Sequence, residues 1–348
     1  MKRALIAGML LLALAVPAGI VRAQQPPTPS DQPQAPQPVP SGQKIQVEVN
    51  LVDFLFTVLD RRNKLVTDLT KEDFKVLDEN VPQDIRYFNR QTDLPLRIGL
   101  LLDTSNSIRD RLHFEQDAAI DFLYNVLRRG KDQAFLMTFD ESPYVVQEYT
   151  DDAGKLRDEV MKMRAGGTTA IYDAIYEASR KQLSHPPRPP GDQPDIVRRV
   201  MVLISDGEDV VSDHTKSEAI EMAQRTSVVI YTISTNTQWV SMTQTDEATK
   251  GRLKYQLTEG DQILKELAEE TGGRAFFPYH VDDLNQSFLD IGDELRSQYS
   301  LAYNPSNYHA GGLYHHIKIE ANRKGLQVRS RKGYFVRRST APASKPGN

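Results

Sequence analysis

Aspartate, serine and threonine side chains are concentrated in three short segments of the sequence that have the composition of turns. Segment A is Asp103-Thr104-Ser105-Asn106-Ser107, segment B is Gly166-Gly167-Thr168-Thr169, and segment C is Ser205-Asp206-Gly207. Carboxylate and hydroxyl oxygens without Cys or His select a hard cation, and Mg²⁺ keeps several waters while only one or two carboxylates hold it. If the three segments meet in the fold, the sequence therefore predicts a site for a divalent cation.

Segment A alone does not establish such a site. Serine, aspartate and asparagine also form turns and cap helices, and a capping turn before the next helix explains this segment without a metal. The same alternative extends to the whole chain as a structural module without metal, in which Ser105 and Thr169 only form caps and turns. Segments B and C favour a site, because they add a second aspartate and two threonines.

Buried strands are needed to position these segments. Residues 98–102, which follow Arg97, and residues 202–204 are continuous apolar runs that end just before segments A and C, as expected for strands that are buried on both faces. Further strand-like and helix-like stretches alternate along the chain: strands near 134–139, 228–233 and 275–279, and helices near 108–126, 171–183, 217–225, 262–270 and 283–295. This alternation predicts an α/β fold with a doubly wound, mostly parallel, Rossmann-like sheet, in which ligands bind outside the carboxyl ends of the strands.

Taken in order, the three segments resemble the metal-ion-dependent adhesion site of the von Willebrand factor type A family, and the resemblance runs from about Leu96 to Leu295. It implies a cation, Mg²⁺ or Mn²⁺ with Ca²⁺ possible, that binds an acidic residue of a partner protein and does not catalyse a reaction. The metal ligands that it implies, the aspartates often acting through water, are Asp103, Ser105, Ser107, Thr169 and Asp206. The family usually has a second threonine two residues after the ligand threonine, whereas Ala170-Ile171 follow here, so Thr168 is the alternative to Thr169.

A hydrolase on an α/β fold is the alternative in a different functional class. The sequence lacks a Gly-x-Gly-x-x-Gly turn after the first buried strand, a phosphate-binding Gly-x-x-x-x-Gly-Lys loop and a Gly-x-Ser-x-Gly elbow. Ser105 also stands where a phosphatase with an aspartyl nucleophile would have a second aspartate. The formal net charge of −4 gives no support to nucleic-acid binding. We therefore expect a binding protein and not an enzyme.

The amino terminus has the three parts of a secretory signal: Lys2-Arg3, an apolar run over residues 4–20, and small residues ending at Ala23. We expect export to the periplasm, the cell surface or the medium, with no membrane span in the mature chain. The chain has no cysteine, so a packed core and not disulfides must stabilise it. We expect these divisions: signal peptide 1–23, Pro/Gln-rich linker 24–44, N-terminal β segment 45–93, von Willebrand type A domain 95–297, C-terminal β segment 298–338 and disordered tail 339–348.

The two flanking β segments are each too short for a stable core of their own. Both leave the central domain at the end opposite the ligand-binding edge, so we expect them to fold together into one sandwich-like β domain. Strands are expected near 299–303, 316–321 and 326–335. The closing Arg-Lys-Gly-Tyr-Phe, together with these strands, is similar to an exported bacterial subgroup of the family.

Three further features of the sequence bear on function, and two of them are candidates for it. Trp239, the only tryptophan, lies in a connection far longer than is usual in α/β units. We predict that it contacts the partner beside the metal. The alternative is that Trp239 packs as a lid on the edge of the sheet. Glu208, Asp209 and Asp213 add ligands or form a solvated loop. His315-His316 face opposite sides of one strand, so they are not expected to share a metal.

Overall fold

The computed structural model describes residues 51–188, 197–236, 257–278, 282–306 and 314–336. Within these ranges the strands are β1 Val52–Leu59, β2 Phe74–Asp78, β3 Val81–Gln83, β4 Ile85–Thr92, β5 Leu96–Asp103, β6 Gln133–Phe139, β7 Pro143–Thr150, β8 Arg198–Ser205, β9 Val229–Ser234, β10 Ala275–Phe276, β11 Ser297–Tyr303, β12 Tyr314–Ala321, β13 Gln327–Ser330 and β14 Gly333–Phe335. The helices are α1 Leu112–Val126, α2 Ala153–Val160, α3 Ile171–Glu177, α4 Lys216–Arg225, α5 Glu259–Thr271 and α6 Asp282–Arg296.

The central sheet has six strands in the order β10-β9-β8-β5-β6-β7, and all neighbours run parallel except the edge pair β6 and β7. Helices α1, α2 and α6 bury their apolar side chains against one face, and α3, α4 and α5 cover the other. Because both faces are covered, every residue of β5 is buried. The predicted doubly wound, mostly parallel sheet is confirmed.

The position of the candidate site follows from this strand order. Strands β5 and β8 are adjacent and parallel, with Leu102 beside Ile204. Segment A therefore leaves the carboxyl end of β5 next to the point where segment C leaves β8. In a doubly wound sheet this edge is where ligands bind.

The flanking strands form two antiparallel four-stranded sheets, ordered β13-β1-β11-β4 and β14-β12-β2-β3. Each sheet combines strands from before and after the central domain, since β1 pairs with β11 and β13 while β2 pairs with β12. One core lies between the sheets, and its aromatic rings stack in contact. The expected sandwich-like domain built from both flanking pieces is confirmed, whereas the exact domain boundaries stay a prediction.

The structure differs from the expected elements in three places. Residues 143–150 form β7 and residues 153–160 form α2, neither of which the sequence pattern indicated. The single strand expected over 326–335 is two strands, and they belong to different sheets. The helix expected over 171–183 changes to π-helical geometry after Glu177.

Contacts between the two domains lie at the amino ends of the central strands. The backbone N–H of Lys332 donates to the carbonyl of Glu270 at 3.3 Å. Nη1 of Arg329 donates to both oxygens of the Glu294 carboxylate, at 2.8 Å each. These contacts lie opposite segments A and C, as expected. In the part of the chain that the structure describes, no helix has both the length and the apolar character needed to cross a membrane.

Candidate metal centre

Segment A folds back on the carboxylate of Asp103, which is completely buried at the end of β5. Its Oδ1 accepts a hydrogen bond from the backbone N–H of Ser105 at 2.9 Å, and its Oδ2 accepts one from the Ser205 hydroxyl at 2.7 Å. The hydroxyls of Ser105 and Ser107 lie 2.9 Å apart. The structure thus brings together three of the predicted ligands, Asp103, Ser105 and Ser107.

Backbone hydrogen bonds join segment B to segment A. The N–H of Gly166 donates to the carbonyl of Thr104 at 2.7 Å, and the N–H of Asn106 donates to the carbonyl of Gly167 at 3.1 Å. Gly167 has φ of 77°, and a Cβ there would lie 3.2 Å from the Cβ of Asp140. The left-handed backbone and the close approach of Asp140 therefore favour glycine at this position of segment B.

The predicted ligands Thr169 and Asp206 are also buried, with 3% and 4% of their surface exposed. The carbonyl of Thr169 accepts hydrogen bonds from the backbone N–H groups of Val210 and Val211, at 2.8 and 3.1 Å. The chain that follows segment C is thereby fastened to segment B. Asp206 itself accepts a hydrogen bond from the N–H of Glu208 at 3.1 Å.

Segment C is held in place by close packing against α5 and by the end of β9. Gly207 has φ of 83°, and a Cβ on it would lie 2.3 Å from the carbonyl oxygen of Gly260, so no larger residue fits. The side-chain amide of Asn236 donates to the carbonyl of Asp206 at 2.6 Å and to the hydroxyl of Thr258 at 3.2 Å. All three segments are therefore fixed to the scaffold of strands and helices.

Burial raises the pKa of Asp103 to about 6; hydrogen bonds from Ser205 and Ser105 oppose this rise, and the charge of Asp206 adds to it. The pKa of Glu115 on α1 is raised well above its usual range by burial, and then by the charge of Asp103. Two carboxylates that repel each other inside a protein are each destabilised in their charged form. A cation between Asp103 and Asp206 would offset that repulsion.

Glu115 is the residue beside the site that the sequence pattern did not reveal. It accepts a hydrogen bond from the backbone N–H of Asp103 and is fully buried. It lies on the same face of α1 as Ala118, Ala119 and Phe122, which pack into the core. The sequence feature that could have indicated Glu115 is a single carboxylate among the apolar residues of one face of α1.

The donor chemistry fits a hard divalent cation. The five side chains offer two carboxylates and three hydroxyls, and the part of the chain that the structure describes contains no group of three or more His, Cys, Asp and Glu that could hold a metal. Any cation here must therefore rely on hydroxyl oxygens, as Mg²⁺ sites with several retained waters do. The Thr168 hydroxyl is buried and has no hydrogen-bond partner among the described residues, so Thr168 stays open as the alternative to Thr169.

Comparison with known proteins identifies the central fold. Residues 98–208, which include segments A, B and C, match the family model of the von Willebrand factor type A domain. The central region is a von Willebrand factor type A domain. No curated protein matches the chain.

Three solved structures to which the chain is similar illustrate the range of the structural matches. An aerotolerance-related membrane protein from Bacteroides fragilis is 19% identical, with a TM-score of 0.43, and the match covers 57% of this chain and 98% of that one. A von Willebrand factor type A protein from Catenulispora acidiphila is 11% identical, with a TM-score of 0.45 and coverage of 84% and 75%. Proximal thread matrix protein 1 from the mussel byssus, whose structure is described as having a zinc-occupied MIDAS motif, is 16% identical, with a TM-score of 0.44 and coverage of 63% and 50%.

The structure also tests some of the other residues that the sequence suggested in the von Willebrand type A domain and its flanking strands. Asp209 Oδ1 accepts the N–H of Ile171 at 2.9 Å, so it caps α3. His315 is buried and His316 is exposed, which confirms that they face opposite sides of β12. Trp239 lies outside the described residues.

Proposed function

We propose that the von Willebrand type A domain binds a divalent cation and uses it to bind a partner protein. The proposed ligands are Asp103, Ser105, Ser107, Thr169 and Asp206. The observation that carries this proposal is the pair of buried aspartates at the ends of adjacent parallel strands, with the Ser105 and Ser107 hydroxyls 2.9 Å apart beside the first of them. The proposed cation is Mg²⁺ or Mn²⁺, with Ca²⁺ as a further candidate.

The ligand set gives a reason for a partner with an acidic residue. The two carboxylates formally equal the charge of a divalent cation, but the family resemblance implies that the aspartates often act through water, so few anionic oxygens bind the cation directly. When bound, the cation supplies an electrophilic position that a carboxylate from the partner completes. Asp103 and the backbone hydrogen bonds between segments A and B hold the hydroxyls in place for this role.

Two other functions, a structural module without metal and a hydrolase, would give different experimental results. A structural module without metal needs the segments only as turns and caps, so its stability does not depend on divalent cations. A hydrolase requires a nucleophile or an activated water beside the site. The buried carboxylate–hydroxyl cluster favours cation binding over the structural module, which does not require two mutually repelling carboxylates to be buried together. The hydrolase is disfavoured by the sequence, which lacks the nucleophile and phosphate-binding motifs of such enzymes.

We further propose that the protein is exported. The support is the basic start, apolar run and small-residue end of residues 1–23, which have the pattern of a cleaved signal. A binding domain outside the cytoplasm suits a role in adhesion or assembly at the cell envelope. Detection of a chain that begins after Ala23 in the periplasm, at the surface or in the medium tests this part of the proposal.

The metal proposal is tested by thermal unfolding of the full chain in Mg²⁺ or in EDTA. A ligand that binds only the folded state at 100 times its Kd stabilises it by about 2.7 kcal/mol, so millimolar Mg²⁺ should raise the Tm of the wild type. Asp103→Asn should fold but lose this increase. Asp117→Asn, which removes a carboxylate on the exposed face of α1, is the matched control and should keep it.

The binding proposal is tested with the same proteins immobilised on beads and exposed to envelope extract. Partner proteins should be retained by the wild type and by Asp117→Asn in Mg²⁺ and released by EDTA. Retention by Asp103→Asn as strong as that by the wild type would contradict metal-dependent binding. An unchanged wild-type Tm in millimolar Mg²⁺, Mn²⁺ or Ca²⁺ would contradict the site itself.

A further inference from the structure

A small cavity lies between the central domain and the flanking sheets, at the opposite end of the strands from Asp103. Its volume is about 70 Å³. Charged residues from both domains line it: Asp53 on β1, Arg198 at the start of β8 and Arg331 between β13 and β14. The remaining wall is formed by β1, the end of α4, the start of β9 and the end of α5.

The buried positive charge of Arg198 is not balanced by a hydrogen-bonded acidic group among the described residues of this cavity. Only 5% of its surface is exposed, and its Nε has no hydrogen-bond partner among the described residues. Burial lowers its pKa, and the charges of Glu294 and Asp53 act against that change. The Glu294 carboxylate, however, is already bonded through both oxygens by Arg329. A buried cation without a bonded counter-ion is strongly unfavourable.

Arg331 adds a second positive charge from the other domain. Its guanidinium donates to the Ser227 hydroxyl at 3.1 Å and to the backbone carbonyl of Asp53 at 2.8 Å, so neither of these bonds is made to a charged group. Burial lowers its pKa to about 10. Among the described residues that line the cavity, Asp53 supplies the single carboxylate, which faces both guanidinium groups. The cavity therefore has an excess of positive charge.

We propose that this cavity binds a small tetrahedral oxyanion, such as phosphate or sulfate, between Arg198 and Arg331. A single water needs about 10–15 Å³ of such volume, so the cavity has room for an ion of roughly five heavy atoms. Guanidinium groups bind phosphate oxygens through paired N–H donors. Because Arg198 belongs to the central sheet and Arg331 to the flanking strands, the ion would join the two domains.

The test uses the full chain and inorganic phosphate as the probe. Isothermal titration should show saturable phosphate binding by the wild type, and phosphate should raise its Tm above that in chloride of equal ionic strength. Arg198→Met should weaken phosphate binding at least tenfold. Arg199→Met is the matched control because it removes the same charge from the neighbouring residue, which donates to the Thr226 carbonyl and does not line the cavity. It should bind phosphate like the wild type.

Stability in chloride separates loss of binding from loss of folding. Arg198→Met should be at least as stable as the wild type there, because it removes a buried charge whose Nε has no hydrogen-bond partner among the described residues. If it does not fold, Arg331→Lys keeps the charge, loses the planar fork and should still bind phosphate several-fold more weakly. Equal phosphate shifts in wild type and Arg198→Met would show a general salt effect and overturn the proposal, as would saturable binding of acetate in preference to phosphate. Asp103→Asn should retain phosphate binding, so this test does not depend on the metal site.

Discussion

The backbone N–H of Asp103 donates a hydrogen bond to Oε1 of Glu115 at 2.9 Å, and both residues are completely buried. Helix α1 thus fixes the residue that begins segment A from within the core. Burial, followed by the charge of Asp103, raises the pKa of Glu115 well above its usual range and favours the protonated carboxyl. In that form Glu115 positions the backbone of Asp103 without adding a third negative charge beside Asp103 and Asp206.

Two substitutions of Glu115 should show whether stability depends on its acceptor oxygen or on its negative charge. Glu115→Gln keeps an oxygen acceptor for the Asp103 N–H, so we expect a free energy of unfolding within about 1 kcal/mol of the wild type. Glu115→Ala leaves that N–H unpaired and creates a cavity, and should cost about 2–4 kcal/mol. Denaturant unfolding in EDTA measures both. Equal destabilisation by the two variants would mean that the ionised carboxylate, and not the acceptor oxygen, is required.

The two threonines of segment B can be assigned by their valine variants. The family resemblance favours Thr169 as the ligand, while the Thr168 hydroxyl is buried without a partner among the described residues. Valine keeps the size of threonine and removes the hydroxyl. We expect Thr169→Val to weaken Mg²⁺ binding at least tenfold and Thr168→Val to change it little. Titration of Tm against Mg²⁺ measures both, and the reverse order would assign Thr168.

The central fold was predictable because its strands are buried on both faces. Continuous apolar runs such as 98–102 need no long-range information to be recognised, and the polar residues that end them mark the ligand-binding edge. Segments A, B and C could be placed for the same reason. Their convergence in the structure follows from the parallel neighbours β5 and β8.

The missed elements depend on contacts that a local pattern does not contain. Strand β7 is an edge strand in which no residue is fully buried, so it has no clear alternation of apolar and polar residues. Strands β13 and β14 are separated only by Arg331 and Lys332, and they diverge because β13 pairs with β1 while β14 pairs with β12. Glu115 was missed because an apolar helix face gives no indication of what its one carboxylate binds.

Removal of the C-terminal strands should expose the N-terminal ones to proteases. Strand β1 pairs on both sides with strands from the C-terminal piece, and the Tyr299 hydroxyl accepts the N–H of Leu69 at 3.0 Å and donates to the carbonyl of Val66 at 3.1 Å. A chain that ends at Ser297 loses all of these bonds. Limited proteolysis with mass spectrometry should then show cleavage within residues 51–93.

A chain that ends at Arg338 is the control for this truncation, because it keeps β11 to β14 and loses only the expected tail. It should resist cleavage as the full chain does. Full resistance of residues 51–93 in the chain that ends at Ser297 would show that the N-terminal strands are stable alone. That result would contradict the shared β domain as a folding unit.

The last prediction concerns Trp239 and the selectivity of the proposed partner site. Asn236 directly precedes the segment 237–256 and Thr258 lies two residues after it, and the two are hydrogen bonded to each other beside the Asp206 carbonyl. The segment therefore leaves and rejoins the fold at segment C, on the edge where we propose that the cation binds. Tryptophan is enriched among residues that dominate binding energy, and long connections in compact domains are often functional.

We therefore expect Trp239→Ala to weaken Mg²⁺-dependent partner binding by more than about 1 kcal/mol, with Mg²⁺ affinity and Tm nearly unchanged. Tyr124→Ala is the control, since it removes an aromatic ring that is 55% exposed on α1, outside the proposed site, and should leave partner binding unaltered. Binding of the captured partner in Mg²⁺ and thermal unfolding are measured on the same three proteins. A large fall in Tm with unaltered partner affinity would show that Trp239 packs against the sheet edge as a lid, and selectivity would then have to come from residues of segments A, B and C.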